Sequence, residues 1–259
     1  MYGIIIVATY LTTALAAPTL SWSPALGEFY AAVDRHIQVA RQEGTVNPPT
    51  CDLSKAVQPV APTPLPAPDA SWKLSEVIIG RGVQNYTCAS ASKNVKPVAV
   101  GAIASLYNVS CIAANYPDIL SMLPALALQY SLPANPAANL EPSNLELVGH
   151  HYFTANGTPT FDLTTVPEPK NQDFGVAALK KNSNSTAPID APKGENGVGD
   201  GSVAWLKLDA TFGSTGDIKA VYRINTAGGN PPTTCESSPA YFSVQYASEY
   251  WFYAQSGSS

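Results

Sequence analysis

Residues 26–43 (LGEFYAAVDRHIQVARQE) carry Leu26, Phe29, Tyr30, Val33, Ile37 and Ala40 at the 3.6-residue spacing that aligns one face of a helix, and Gly44 supplies a stop. The pattern predicts an amphipathic N-terminal helix that must pack on something. Residues 48–68 then hold Pro48, Pro49, Pro59, Pro62, Pro64, Pro66 and Pro68. That density favours extended polyproline geometry and opposes ordinary sheet pairing, so this segment is expected to lie across the domain as an arm, with Cys51 as its staple. From Trp72 onward the period shortens. Strands are predicted over 76–79, 83–89, 98–108, 145–154, 160–163, 175–180, 203–210, 218–225 and 241–253, mostly rich in Val, Ile, Tyr and Thr and bounded by Gly, Pro, Asn or Ser.

The last of these runs alternates clearly. Phe242, Val244, Tyr246, Tyr250 and Phe252 fall on one face, opposite Ser243, Gln245 and Glu249, as in a half-buried antiparallel strand with one dry side. One helical insertion interrupts the series at 117–129 (PDILSMLPALALQ), where Pro117 and Asp118 suit a first turn and Pro124 splits or kinks the helix. Residues 180–202 are polar and Gly-rich and are expected to form a mobile surface loop. The architecture that follows is all-β: a single antiparallel sandwich or closed barrel, a trefoil-type barrel included, with an N-terminal helix and one helical insertion. The predicted layout is a signal peptide at 1–16, the helix at 17–46, the Pro-rich arm at 47–71 and the β-rich domain at 72–255.

Composition narrows the function. With 14 Lys+Arg against 19 Asp+Glu the net charge is −5, and a nucleic-acid binder needs clustered basic residues instead. The 23 Pro and 18 Gly against 2 Met point away from a helical bundle. Residues 3–15 form a short apolar run followed by Ala14, Leu15 and Ala16, the hydrophobic core and small-residue cleavage site of a secretory signal, with cleavage expected after Ala16. The run is short for a membrane span, which needs ~20 residues. A secreted, extracellular protein with no membrane partner is expected.

Cys51, Cys88, Cys111 and Cys235 are an even set in an export context, which reads as two disulfides with three possible connectivities. Cys88 and Cys111 end strands expected to be neighbours, so the predicted pairs are Cys88 with Cys111 and Cys51 with Cys235. Four N-x-S/T sequons occur, at Asn85, Asn108, Asn156 and Asn184. The first two lie in strand-like runs, so Asn156 and Asn184 are the expected glycosylation sites.

Candidate chemistry is sparse. Residues 77–85 (VIIGRGVQN) begin like a dinucleotide fingerprint, but Asn85 stands where a third small residue is needed and a β pattern follows in place of a helix. A Gly-bearing turn or bulge between two strands is the expected structure, and no cofactor is expected. His150 and His151 are adjacent on a strand, so they point to opposite faces and cannot jointly grip one metal; no metal site is expected. His36 lies on the polar flank of the first helix. There is no G-x-S-x-G and no H-E-x-x-H, and oxidised cysteines offer no thiolate. Catalytic residues are therefore unassigned, although two of the nineteen acids could pair in space as in a glycoside hydrolase.

Two apolar features suggest docking. The insertion carries Leu120, Leu123, Leu126 and Tyr130 on several sides with Asp118 as its one charge, so its far face is either covered by the N-terminal helix or left as an interface. Trp251 and Tyr253 lie opposite the dry side of the last strand and, with Trp205, either form a partner-binding platform or cover the rim of the core.

Six stretches carry a family resemblance: TCDLS (50–54), GRGVQNYTC (80–88), GHHYF (149–153), AWLKL (204–208), VYRINTAGG (221–229) through Cys235, and VQYASEYWFY (244–253). Together they resemble an uncharacterised secreted β-rich domain family of fungi and bacteria, whose members are often labelled malate dehydrogenase. The resemblance implies secretion and a single β-rich domain and carries no established catalytic residues. The dehydrogenase label conflicts with the missing nucleotide fingerprint and the absence of an alternating βα pattern. The sequence thus reads as a secreted, non-catalytic fungal protein binding an extracellular protein, in an effector or protease-inhibitor role, or a cell-wall polysaccharide. The rival reading is a secreted hydrolase or carbohydrate-active protein using paired carboxylates; a structural wall protein is a third.

Overall fold

Strand β1 (Trp72–Thr87) is long enough to pair along both edges, with β2 (Val98–Asn108) on one side and β8 (Tyr241–Gln255) on the other, and this double pairing closes the sheet. The computed structural model describes residues 23–44, 49–132, 135, 138–164, 175–194 and 201–255. The predicted signal segment, 1–16, lies outside them. Between β2 and β8 the chain runs through β3 (Leu147–Phe153), β4 (Pro159–Asp162), β5 (Val176–Ser185), β6 (Trp205–Ala210) and β7 (Ile218–Gly228), each antiparallel to its sequence neighbour. The result is an eight-stranded, closed up-and-down barrel, so neither the sandwich nor the trefoil alternative is adopted.

Period-two alternation splits the apolar residues into two cores. Ile78, Leu106, Phe161, Leu179, Leu208, Val221, Tyr246, Tyr250 and Phe252 line the lumen. Val77, Ile79, Tyr222, Ile224, Ala247 and Trp251 face outward and lie beneath the helices and the Pro-rich arm. The wall at β7, β8 and β1 is therefore buried on both sides, which explains why residues 76–82 read as a continuous buried run.

Two expectations about the strands are corrected. The predicted break at Gly80 and Gly82 does not occur, because β1 runs through both. A Cβ at Gly80 would overlap the Tyr250 ring, and one at Gly82 would overlap the Ile103 carbonyl and Ala104. These glycines permit close approach between neighbouring strands and do not turn the chain. The polar stretch from Lys180 is not a loop at its start, since β5 continues to Ser185 with Lys180, Lys181, Asn182 and Asn184 turned to solvent; residues 195–200 of that stretch lie outside the described set.

Helix α1 (Pro24–Gln42) starts at Ser23, whose Oγ accepts from Leu26 N at 3.2 Å. It packs Leu26, Phe29 and Ala32 into the outer core, while Tyr30 and Ile37 of the same face remain exposed. A bond from His36 Nε2 to Asp118 (3.0 Å) ties it to α3 (Pro117–Gln129), which follows the short α2 (Ser110–Asn115). Leu120, Leu123 and Leu126 are 1–3% exposed in this packing. The insertion is core, covered by α1 and laid on the barrel, and these three leucines are not available as a docking face.

The disulfides also depart from the expected pairing: Cys51 is bonded to Cys111 and Cys88 to Cys235. Cys88 follows β1 at the barrel end where β7 and β8 are joined, so the loop holding Cys235 comes to it, and Cys88 N donates to Ala240 O (2.9 Å). Cys111 lies beyond the other end of β2, at the start of α2, where the arm arrives and Asn115 Nδ2 donates to Thr50 O (2.9 Å). Cys88 and Cys111 lie toward opposite ends of the β1–β2 pair, which rules out a bond between them.

Candidate functional site

The weakest seam in the barrel lies between β4 and β5. β4 has only four residues, and its ladder to β5 ends at Thr160 opposite Ala178. Leu179, Lys180 and Lys181 therefore pair only with β6. A cavity of about 460 Å³ occupies the lumen here, bounded at the seam by Gly157, Thr158, Pro159, Lys180 and Lys181. Its walls are Phe153, Phe161, Leu179, Leu206 and Leu208, and its polar groups are His151, Arg223 and Tyr250. An eight-stranded barrel is just wide enough either to be filled by side chains or to hold one small ligand. Here the bulky residues fill the lumen only in part.

Each polar group is set by its strand. His151 is buried, stacked on Phe161 (centroids 4.1 Å apart), and its Nδ1 donates to Thr160 O at 2.8 Å. That bond makes Nδ1 the protonated nitrogen of a neutral ring and leaves Nε2 as an acceptor. Burial, with the nearby Arg223 charge adding to it against the bond to Thr160, pushes His151 down to about 4. The Tyr250 hydroxyl lies 3.0 Å from that of Tyr246, and burial raises both phenols above the ordinary value. Arg223 is half-buried, and its Nε and Nη2 both donate to Ala204 O, at 3.2 and 2.8 Å. Among the described residues no carboxylate lines the cavity, and its lining carries the cations Lys180, Lys181 and Arg223.

The two histidines do diverge: His151 enters the lumen, and His150 is only half-buried. Trp251 is buried on the outer wall, where its Nε1 donates to Glu249 Oε2 at 2.9 Å. Tyr253 is half-buried, donating to Gln58 Oε1 on the arm (3.0 Å) and meeting Tyr222 edge to face. Trp205 is buried as well. These rings cover the core and form no exposed platform. Tyr130 is half-buried, with its carbonyl accepting from Arg81 Nη2 at 2.9 Å. Asn156, in the β3–β4 turn, and Asn184 are exposed.

Two carboxylates have strongly raised affinity for protons, yet neither faces the cavity. Burial lifts Glu249 to about 7 against its bonds from Asn225 and Trp251, and lifts Glu76 to about 7 against its bonds from Ser110 and Asn108. Glu249 lies under α3 on the outer wall, where Asn225 also donates to Ser121 O, and Glu76 is held at the end of the barrel by Asn108 and Ser110. They form no catalytic pair in a cleft. Among the described residues no cluster of three His, Cys, Asp or Glu could hold a metal, and no helix is long and apolar enough to cross a membrane.

Arg223 is the cavity residue that the strand pattern did not single out. In IKAVYRIN it alternates with Lys219, Val221 and Asn225, the more polar of the two faces, so the local pattern gave no sign that this face lines the lumen.

The fold and cavity define a closed antiparallel barrel with a small, cationic and largely apolar chamber. The chain belongs to the family described as "Protein of unknown function (DUF3455)", whose profile matches residues 68–254 and so spans the whole barrel. Residues 8–66, which precede it, match a second family described as "Protein of unknown function (DUF2990)". No curated protein and no solved structure matches the chain.

Proposed function

We propose that this is a secreted, non-catalytic binding protein whose barrel holds one small amphipathic molecule. The observation that carries the reading is the lumen cavity of about 460 Å³, walled by Phe and Leu and carrying a few convergent polar groups, which is the make-up of small-ligand sites. A macromolecular occupant at the sequence-predicted residues is disfavoured, because Leu120, Leu123, Leu126 and Trp251 are used in packing within the chain. Hydrolysis by paired carboxylates is disfavoured because, among the described residues, the cavity lining contains none. Export is supported by the apolar run before Ala16 and by two disulfides. Glycans are proposed on the exposed Asn156 and Asn184.

The test is a titration of the disulfide-intact protein with N-phenyl-1-naphthylamine, a neutral dye that brightens in apolar surroundings. Saturable brightening is expected, and Leu179→Trp, which places a larger ring in the cavity, is expected to abolish it while the barrel still melts cooperatively. Absence of brightening in the parent protein, or brightening unaffected by a folded Leu179→Trp, overturns the reading.

A further inference from the structure

The cations held within the barrel wall differ in how well the chain satisfies them. Arg81 donates to the carbonyls of Ala127, Tyr130, Gly82 and Tyr246 and to the Gln245 side chain. Lys207 donates to Ala67 O at 3.0 Å and lies over the rings of Trp72 and Tyr222. Arg223 faces the cavity; its Nε and Nη2 share a single carbonyl, that of Ala204, and it also bonds the Tyr250 hydroxyl beside it. A guanidinium has five N–H donors, and among the described residues no carboxylate lies within ion-pairing distance of this one. Arg223 and Tyr250 are direct cross-strand partners, so the Tyr250 hydroxyl stands beside it on the lumen side. A partly desolvated cation with donors to spare and no counter-ion is costly to keep unless something anionic completes it.

Resting on the cavity reading above, we propose that Arg223, with Tyr250, is an anion-recognition point and that the natural occupant is a monocarboxylate with an aromatic or branched apolar body. One guanidinium matches one carboxylate, in the charge-assisted geometry that arginine favours. The body lies against Phe153, Phe161, Leu206 and Leu208. The Nε2 acceptor of neutral His151 suits a hydroxyl on that body, and the exposed Lys180 and Lys181 at the seam draw anions inward.

Isothermal titration of the disulfide-intact protein with 4-phenylbutyrate, its neutral amide 4-phenylbutyramide and the cation 4-phenylbutylamine tests this. The acid is expected to bind about tenfold tighter than the amide or better, the yield of one charge-assisted contact, and the amine is expected not to displace N-phenyl-1-naphthylamine. Arg223→Gln is expected to erase the preference for the acid while amide affinity stays within about twofold. Equal affinity for acid and amide in the parent protein overturns the proposal without any variant, so it remains decidable if Arg223→Gln fails to fold. A preference that survives in folded Arg223→Gln also overturns it. If the naphthylamine binds but the acid is no better than the amide, only the anion assignment falls; if the naphthylamine does not bind, the cavity reading falls and this proposal with it.

Discussion

Arg81, in the middle of β1, donates from Nε to the carbonyl of Ala127 at 3.0 Å and so caps the last turn of α3. The final carbonyls of a helix have no partners within it, and a buried helix end needs them supplied from outside. Arg81 Nη2 adds the Tyr130 carbonyl at 2.9 Å, and the side chain is only 2% exposed. Its guanidinium also complements the negative end of the helix.

Arg81→Met is therefore expected to cost about 3 kcal/mol or more, since it removes several charge-assisted bonds and leaves buried carbonyls unsatisfied. Urea unfolding measures the loss. Faster amide exchange at 126–130 than elsewhere in the outer core would assign it to α3.

Non-reducing peptide mapping is expected to recover Cys51 joined to Cys111 and Cys88 joined to Cys235. The second bond closes a sequence separation of 147 residues and the first one of 60. The chain-entropy relation gives about 5 and about 4 kcal/mol for those loops as upper values. Cys88→Ser with Cys235→Ser is thus expected to lower the melting temperature more than Cys51→Ser with Cys111→Ser.

Glu76 is held near pH 7 by burial, well above its ordinary 4.5. The folded state then binds more protons than the unfolded state between about pH 4.5 and about 7, so stability falls as pH rises through that window. Asn108 and Ser110 both donate to the same oxygen, Oε2, and a glutamine amide oxygen can accept both. Glu76→Gln is expected to match the parent protein at pH 4.5 and to exceed it by a few kcal/mol at pH 8. Unfolding curves at the two pH values check this, and equal pH slopes would refute it. Glu249, raised for the same reason, leaves a residual slope of the same sign in the variant.

Phe29 of α1 is 3% exposed against the outer core. Phe29→Ala is expected to cost about 3–4 kcal/mol, within the range for a buried ring reduced to a methyl. Loosening α1 is also expected to uncover the leucine face of α3, read as increased binding of a hydrophobic dye that is unaffected by Leu179→Trp.

Much of this fold was legible in local pattern. The helical periodicity of 26–43, the alternation of 242–252 and the divergence of His150 from His151 are properties of about ten residues at a time, and backbone periodicity fixes them. The Gly80-Arg81-Gly82 segment was misread for the opposite reason. Glycine in a strand signals either a bend or a close neighbour, and the neighbours here, Tyr250 and Ala104, belong to other strands.

By itself the sequence determined the all-β class, the N-terminal helix, the helical insertion and an even set of cysteines, because composition and short-range periodicity carry that information. Tertiary structure decided which cysteines met, since closure between β1 and β8 brings the two ends of the domain together and sends Cys88 to Cys235. It also decided which apolar residues were core: Trp251, Leu120, Leu123 and Leu126 are exposed or buried only according to what packs over them. The same closure turned Arg223 into the lumen beside Tyr250. A cation on a strand has no meaning for binding until the face it occupies becomes the inside of a barrel, and that depends on the register of strands far apart in the chain.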